Sequence, residues 1–148
     1  MRLGEIETLK RTQIRVGSIF KMVFYPTDNV KPKGENAKSR MKYFVIAGID
    51  DEGNYIGVSL INTNVNIHFA PIIAPYQLCI HPEKYDFLGG KFRYVDCYAL
   101  RGISKSRILS DAEYIGYLTE DDIKQVRYLL RKSPIMDART ISQYGLED

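Results

Sequence analysis

Short apolar runs separated by polar turns make up most of the first two thirds of the chain. Runs rich in β-branched and aromatic residues predict strands, and clusters of Gly, Pro, Asn and Asp between them predict turns. Pro71 and Pro75 restrict one weak run to an edge strand or a loop. Several short strands at this spacing favour a small, strongly curved β-barrel. The predicted strands are residues 16–24, 43–49, 55–61, 67–73 in weaker form, 76–80 and 92–100.

The last part of the chain has the period of a helix. Thr119 followed by Asp122 has the arrangement of a helix cap with an acid in the first turn. The residues that follow place apolar side chains on one face, and Pro134 ends the run. A shorter second helix is predicted at residues 137–144. The sequence therefore predicts a mainly β fold with C-terminal helices.

Composition is that of an ordinary globular protein. The chain has 148 residues, of which 45% are hydrophobic and 26% charged, and this fits one domain over residues 1–148. No apolar run approaches the roughly 20 residues that span a bilayer, and the N-terminus lacks the apolar core of a secretory signal, so we expect a cytoplasmic protein. Cys79 and Cys97 lie in apolar segments typical of small buried residues, without a disulfide. Two distant cysteines and two distant histidines predict no metal site, and we expect no cofactor.

Basic residues are clustered rather than evenly spread. A polar loop at residues 33–41 is rich in lysine and arginine and leads into the apolar strand predicted at 43–49. A cationic loop fixed to the end of a strand is suited to hold a phosphate. Two basic clusters in a small chain favour RNA or DNA as a ligand, against the alternative that they are solvated surface charges. The second cluster consists of Arg101, Lys105 and Arg107.

Five segments resemble, in order and spacing, the motifs of one protein family. They are the strand at residues 17–23, Glu35-Asn36 with Arg40 in the first loop, Ile61-Asn62-Thr63, residues 99–108, and the helix at 118–126. The family is the MazF/PemK-like toxins, which are endoribonucleases with an SH3-like β-barrel of the MazF/PemK/CcdB type. The resemblance covers residues 15–132 as barrel plus helix and leaves 133–148 as a C-terminal extension.

The resemblance implies a reaction and a site. The family's catalytic arginine falls on Arg40, and its phosphate-positioning threonine falls on Thr63. Attack of a ribose 2′-hydroxyl on the adjacent phosphate builds negative charge on the phosphoryl oxygens, to which a guanidinium offers paired donors. Such sequence-preferring cleavage of single-stranded RNA needs no metal and leaves a 2′,3′-cyclic phosphate and a 5′-hydroxyl. The RNA-binding residues are expected to be Lys33, Glu35, Asn36, Lys38 and Arg101.

The same resemblance implies three partners: single-stranded RNA, an antitoxin protein and a second copy of the chain in a homodimer. Two departures from the family pattern favour an alternative. Met41 stands where the family has a proline, and Tyr98-Ala99 stands where it has an acid followed by glutamine. The alternative is a non-catalytic SH3-like module that binds nucleic acid or protein.

Several of these residues have a second interpretation. Thr63 is either a phosphate contact or an ordinary polar residue that ends a strand. Arg101 and Arg107 either bind RNA or pair with Asp96 or Asp111, an exposed arrangement that contributes little stability. The sequence leaves open whether the two predicted catalytic residues face one cleft.

Overall fold

The computed structural model describes residues 10–28, 39–64 and 70–147. Over these residues the protein is a curled sheet with helices packed against it. None of the helices in these ranges is long and apolar enough to cross a bilayer.

Most of the described chain lies in regular elements. The strands are β1 (Ser18–Phe24), β2 (Arg40–Ile49), β3 (Tyr55–Asn62), β4 (Gln77–Ile80), β5 (Arg93–Asp96), β6 (Arg101–Ser104) and β7 (Glu113–Tyr117). The helices are α1 (Ala70–Ile73), α2 (Lys105–Asp111), α3 (Glu120–Lys132) and α4 (Ala138–Gln143). Short 3₁₀ turns occur at Pro26–Asp28, Ala74–Tyr76 and Asp86–Leu88.

The strands form one seven-stranded antiparallel sheet. Its order is β4-β5-β3-β2-β1-β7, and β6 pairs with the first half of β3. Strand β3 is therefore central, with β2 along one side and β5 and β6 along the other. The sheet curls into a half-barrel, which confirms the predicted mainly β fold with C-terminal helices.

The β2–β3 hairpin sets the geometry of one corner of the sheet. At its closed end, Asp50 Oδ1 accepts a hydrogen bond of 2.8 Å from the backbone N–H of Asn54. Gly53 has a φ of 71°, a left-handed conformation that glycine adopts without steric cost. At the open end Tyr43 lies opposite Ile61, so the first residues of β2 and the last residues of β3 are neighbours.

Both faces of the sheet are buried, because successive side chains of a strand point to opposite faces. Phe44 and Ile46 of β2 belong to the apolar cluster that includes Ile108 of α2. Val45 and Ala47 belong to the other cluster, which contains residues of α3 and of the C-terminal segment. This arrangement explains why β2 is an almost continuous apolar run.

The two C-terminal helices confirm the predictions made from their caps. Thr119 Oγ1 accepts a hydrogen bond of 3.2 Å from the backbone N–H of Asp122 at the start of α3. Leu130 of α3 is fully buried against the sheet. The carboxylate of Asp137 accepts a hydrogen bond of 2.7 Å from Thr140 N–H at the start of α4. Side-chain oxygens thus satisfy backbone donors that each helix leaves unpaired.

Three parts of the predicted secondary structure are wrong. Ala70–Ile73 is a helical turn, so the edge-strand alternative for the weak run at 67–73 is wrong there, since Pro71 lacks the N–H that a strand ladder requires; residues 67–69 of that run lie outside the described residues. Strand β5 stops at Asp96, whose carboxylate accepts a hydrogen bond of 3.0 Å from the backbone N–H of Tyr98. The elements β6, α2 and β7 were not predicted, because their short segments lack a clear apolar period.

A row of three glycines explains how the C-terminal segment docks. Gly48 of β2 lies opposite Gly57 of β3, which lies opposite Gly102 of β6. Tyr144, only 8% exposed, packs over this row. A Cβ atom at Gly48 would lie 2.3 Å from the backbone oxygen of Tyr144, and one at Gly102 would lie 2.6 Å from its phenol oxygen. Strand glycines here permit a close approach that any side chain would block.

We predict that Gly48→Ala lowers the free energy of unfolding by about 2–3 kcal/mol, because the added methyl group overlaps the backbone of Tyr144. Gly116→Ala is the matched control, since a Cβ at that strand glycine meets nothing within 4 Å. Its effect should stay within about 0.5 kcal/mol. Urea denaturation measures both, and equal effects at the two positions would contradict the docking of Tyr144 on the glycine row.

Candidate functional site

A pocket of about 290 Å³ opens where β2 begins and β3 ends. Arg40 is the first residue of β2, Thr63 follows the last residue of β3, and both line this pocket. The antiparallel pairing of Tyr43 with Ile61 brings the two strand ends together. The structure thus answers the question that the sequence left open: the two residues predicted to be catalytic face one cleft.

Two more cationic residues line the same pocket. Lys42 follows Arg40 by two positions in β2, and Arg93 is the first residue of β5. The guanidinium carbon of Arg93 lies 5.5 Å from the ring centroid of Tyr43, a cation–π contact. The pairing of Asn62 with Tyr94 places the start of β5 beside the end of β3. The remaining lining residues are Met41, Tyr43 and Ile61.

Lys42 is the most deeply buried of these cations, with 6% of its surface exposed. Its ammonium donates a hydrogen bond to Asn62 Oδ1 on the neighbouring strand. An amide oxygen is a neutral acceptor, whereas buried lysines usually have a carboxylate partner. The charge of Lys42 is therefore only partly compensated.

The surroundings of Lys42 disfavour its charged form. Burial lowers the pKa of Lys42 from 10.5 to about 8, and the nearby guanidinium of Arg40 acts in the same direction. Arg101 and Arg93 also lower this pKa, while the carboxylate of Asp96 opposes them. Because this pKa lies about one unit above pH 7, the amine is still mostly protonated at pH 7 but loses its proton more readily than an ordinary lysine does.

The carboxylate of Asp96 is hydrogen-bonded to groups outside this pocket. Its Oδ1 accepts a hydrogen bond of 2.9 Å from Gln77 Nε2 on β4, besides the one from Tyr98. The ring of Tyr98 packs against that of Tyr76, with centroids 5.7 Å apart. Asp96 does not line the pocket that contains Arg40, so its carboxylate acts on Lys42 through its field and not as a ligand-facing group.

Arg101, predicted to bind RNA, lines a second pocket of about 540 Å³ rather than the one at Arg40. Its Nη1 donates a hydrogen bond of 2.7 Å to the backbone oxygen of Asp28. Arg107 lines the same pocket and holds the carboxylate of Asp28 through two hydrogen bonds of 2.7 and 2.9 Å. This bond lowers the pKa of Asp28 and raises that of Arg107. Arg107 therefore pairs mainly with Asp28, and it approaches Asp111 only to 4.0 Å.

The other predicted RNA-binding residues, Lys33, Glu35, Asn36 and Lys38, lie outside the described residues. The described residues that flank their segment are informative. Asp28 lines the second pocket and Arg40 lines the first. Each pocket therefore contains a described residue that lies close in sequence to one end of the segment 29–38.

Sequence reasoning missed Lys42 and Arg93 as site residues. A signal for Lys42 was present, because residues two apart in a strand share a face and Lys42 follows Arg40 at that spacing. No local signal identifies Arg93, whose position depends on the pairing of β5 with the end of β3.

The pocket is suited to an oxyanion. Its lining combines two guanidinium groups, one ammonium and the hydroxyl of Thr63, all of which donate hydrogen bonds. No aspartate or glutamate lines it among the described residues. The described residues also contain no cluster of three or more His, Cys, Asp or Glu that could hold a metal ion. Its positive charge would attract a phosphate and repel a divalent cation.

Comparison with known proteins gives a result at the level of the fold. No family model matches the sequence, and no curated protein matches it. A chain in the crystal structure of a MazE–MazF complex from Deinococcus radiodurans matches the structure with a TM-score of 0.51. The match covers 81% of this chain and 94% of that chain, at 12% sequence identity. The protein therefore has a MazF-like fold, which confirms the predicted fold class.

We predict that Lys42→Met stabilises the protein at pH 7 by about 1–2 kcal/mol, a value reduced to allow for solvent that still reaches the amine. The lowered pKa means that the unfolded chain binds more protons between pH 8 and 10.5, so wild-type stability rises with pH there. The advantage of Lys42→Met should therefore shrink above pH 8.

Urea denaturation at pH 7 and pH 9.5 measures this difference. Lys21→Met is the matched control, because Lys21 lies on β1 and its ammonium is 3.2 Å from a carboxylate oxygen of Glu113. That variant should be neutral or slightly destabilised at both pH values. A Lys42→Met protein that is less stable than wild type at pH 7 would contradict the prediction that the buried charge of Lys42 destabilises the fold.

Proposed function

We propose that the protein is the endoribonuclease toxin of a toxin–antitoxin module. It would cut single-stranded RNA with some sequence preference and without a metal ion, by attack of a ribose 2′-hydroxyl on the adjacent phosphate. The observation that carries this proposal is the meeting of Arg40 and Thr63 in one cationic pocket on a MazF-like fold.

The two central residues have distinct roles in the proposed reaction. Arg40 donates paired hydrogen bonds to the phosphoryl oxygens and stabilises the negative charge that grows on them in the transition state. Thr63 donates its hydroxyl to the same phosphate and fixes its orientation. Arg93 adds positive charge at the pocket wall, where stacking on Tyr43 holds its guanidinium.

The rest of the RNA would lie along the basic surface beside the pocket. Arg101 supplies part of that surface from the second pocket. Lys33, Glu35, Asn36 and Lys38 belong to the same proposal through the loop that joins the two pockets in sequence. Contacts of this kind are sensitive to salt, because binding releases counterions from the RNA.

We further propose two protein partners. The structural match is to a MazE–MazF complex, which supports an antitoxin that binds this protein and blocks its RNA site. The second partner, another copy of this chain in a homodimer with a shared RNA groove, rests on the resemblance of the sequence to the MazF/PemK-like toxins. Light scattering of the purified protein measures whether two copies of this chain associate.

One observation favours the alternative of a non-catalytic binding module. Among the described residues, the carboxylate that raises the pKa of Lys42 belongs to Asp96, which is held by Gln77 and by the backbone of Tyr98. The segment at Tyr98 and Ala99 thus offers no carboxylate to the Arg40 pocket. A protein that lacked catalysis would keep the cationic surface and bind nucleic acid without cutting it.

We predict that the wild-type protein cuts long single-stranded RNA in EDTA and leaves 2′,3′-cyclic phosphate ends. Arg40→Ala should lower the rate by about 10²–10³-fold, as expected for loss of a donor to a transition-state oxyanion. Thr63→Val keeps the shape but not the hydroxyl, and it should lower the rate by about tenfold. Arg139→Ala, which removes an exposed arginine of α4, is the control and should leave the rate unchanged.

The outcomes separate the two functions. Wild-type cutting that does not exceed that of Arg40→Ala overturns the ribonuclease proposal. If such a protein still binds RNA with an affinity that falls steeply with salt, the binding module is supported. Absence of binding at low ionic strength removes both.

A further inference from the structure

Lys42 has the position of a group that acts in the reaction. It lines the pocket with Arg40 and Thr63, and its ammonium is held toward the strand ends by Asn62. Met22 of the neighbouring strand β1 lies opposite Lys42 and is 1% exposed. This apolar side chain keeps bulk water from one side of the amine. Keeping a lysine with so little exposure charged costs free energy. A buried charge of this kind is therefore a candidate for a functional role.

The charged and polar groups that act on Lys42 lie on four strands, and β1, which also pairs with β2, places the apolar Met22 opposite Lys42. Arg40 lies on its own strand, Asn62 on β3, Arg93 and Asp96 on β5, and Arg101 on β6. Burial is the main reason that the ammonium is a stronger acid than an ordinary lysine, and the three nearby arginines add to this effect against the one opposing carboxylate of Asp96. A phosphate in the pocket would face a donor that can give up its proton.

The leaving group in RNA cleavage needs such a donor. When the 2′-oxygen attacks, the bond from phosphorus to the 5′-oxygen breaks, and that oxygen departs as a poor, strongly basic alkoxide unless it is protonated. Arg40 has the other task of this reaction, since its paired donors are suited to the charge on the phosphoryl oxygens. Efficient proton donation requires a group whose acidity is matched to the working pH.

We propose that Lys42 is the general acid of the cleavage and transfers a proton from Nζ to the 5′-oxygen as its bond to phosphorus breaks. The step presupposes the ribonuclease activity proposed above. The 2′-hydroxyl loses its proton to water, the new bond from the 2′-oxygen to phosphorus closes the cyclic phosphate, and neutral Lys42 regains a proton from solvent. Charge and atoms balance without a further reactant.

The decisive experiment compares two leaving groups under single-turnover conditions in EDTA. One substrate is ordinary single-stranded RNA, and the other has sulfur in place of the 5′-oxygen at a single linkage. A thiolate leaves without protonation, so it does not need a general acid. On ordinary RNA, Lys42→Met should cut about 10²–10³-fold more slowly than wild type. On the sulfur substrate, the two proteins should differ by less than about tenfold.

Two further variants fix the interpretation. Lys42→Arg keeps the positive charge without a readily lost proton, so it should resemble Lys42→Met on both substrates. Arg40→Ala should stay slow on both, because charge on the phosphoryl oxygens develops with either leaving group. At RNA concentrations far below saturation, where the rate reports the protein before RNA binds, wild-type cleavage of ordinary RNA should also fall as pH rises above about 8, because Lys42 loses its proton, and cleavage of the sulfur substrate should not.

The failures are distinguishable. If wild type cuts ordinary RNA no faster than Arg40→Ala, the ribonuclease function and this inference both fall. If wild type is active but Lys42→Met loses the same factor on both substrates, the ribonuclease function stands and Lys42 is only a structural or electrostatic residue. Full activity of Lys42→Arg on ordinary RNA also overturns the proton transfer.

Discussion

The pairing of β2 with β3 is the constraint on which the site depends. The turn between Asp50 and Asn54 closes one end of the hairpin, and the register that follows places Tyr43 opposite Ile61. Arg40 and Thr63 meet at the open end only because the strands keep this register. A shift by one residue would move every side chain to the other face of the sheet. The apolar clusters on both faces make such a shift costly, so the core protects the geometry of the pocket.

A rigid sheet also explains how like charges can share a small volume. Arg40, Lys42 and Arg93 line one pocket, and no carboxylate of the residues that the structure describes lines it to relieve their mutual repulsion. Unconstrained side chains of like charge would move apart, but the strand backbones are fixed by the strands paired on both sides, which limits this movement. Sites that bind or transform charged ligands often carry this kind of local electrostatic conflict, because the ligand resolves it. A phosphate in the pocket would supply the missing negative charge.

Local patterns predicted those features that depend on local interactions. The strands with many β-branched and aromatic residues, the Thr119 cap and the position of Arg40 next to an apolar strand segment were all visible in the sequence. Features that need distant pairing were not. Arg93 reaches the pocket only because β5 pairs with the end of β3, and the contact of Tyr144 with three strands requires their glycines to align. Lys42 is an intermediate case. Its spacing from Arg40 could be read from the local sequence, but its burial depends on the pairing of distant strands.

The central claim is that this pocket holds a phosphate against Arg40 and Lys42. The most direct test is the pKa of Lys42, measured by NMR of its Cε carbon with and without a short single-stranded oligodeoxynucleotide, which lacks the 2′-hydroxyl and is not cleaved. We expect a pKa of about 8 in the free protein and a clear rise in the complex, because a bound phosphate stabilises the ammonium. A pKa near 10.5 in the free protein, or one that the oligonucleotide leaves unchanged, would contradict it.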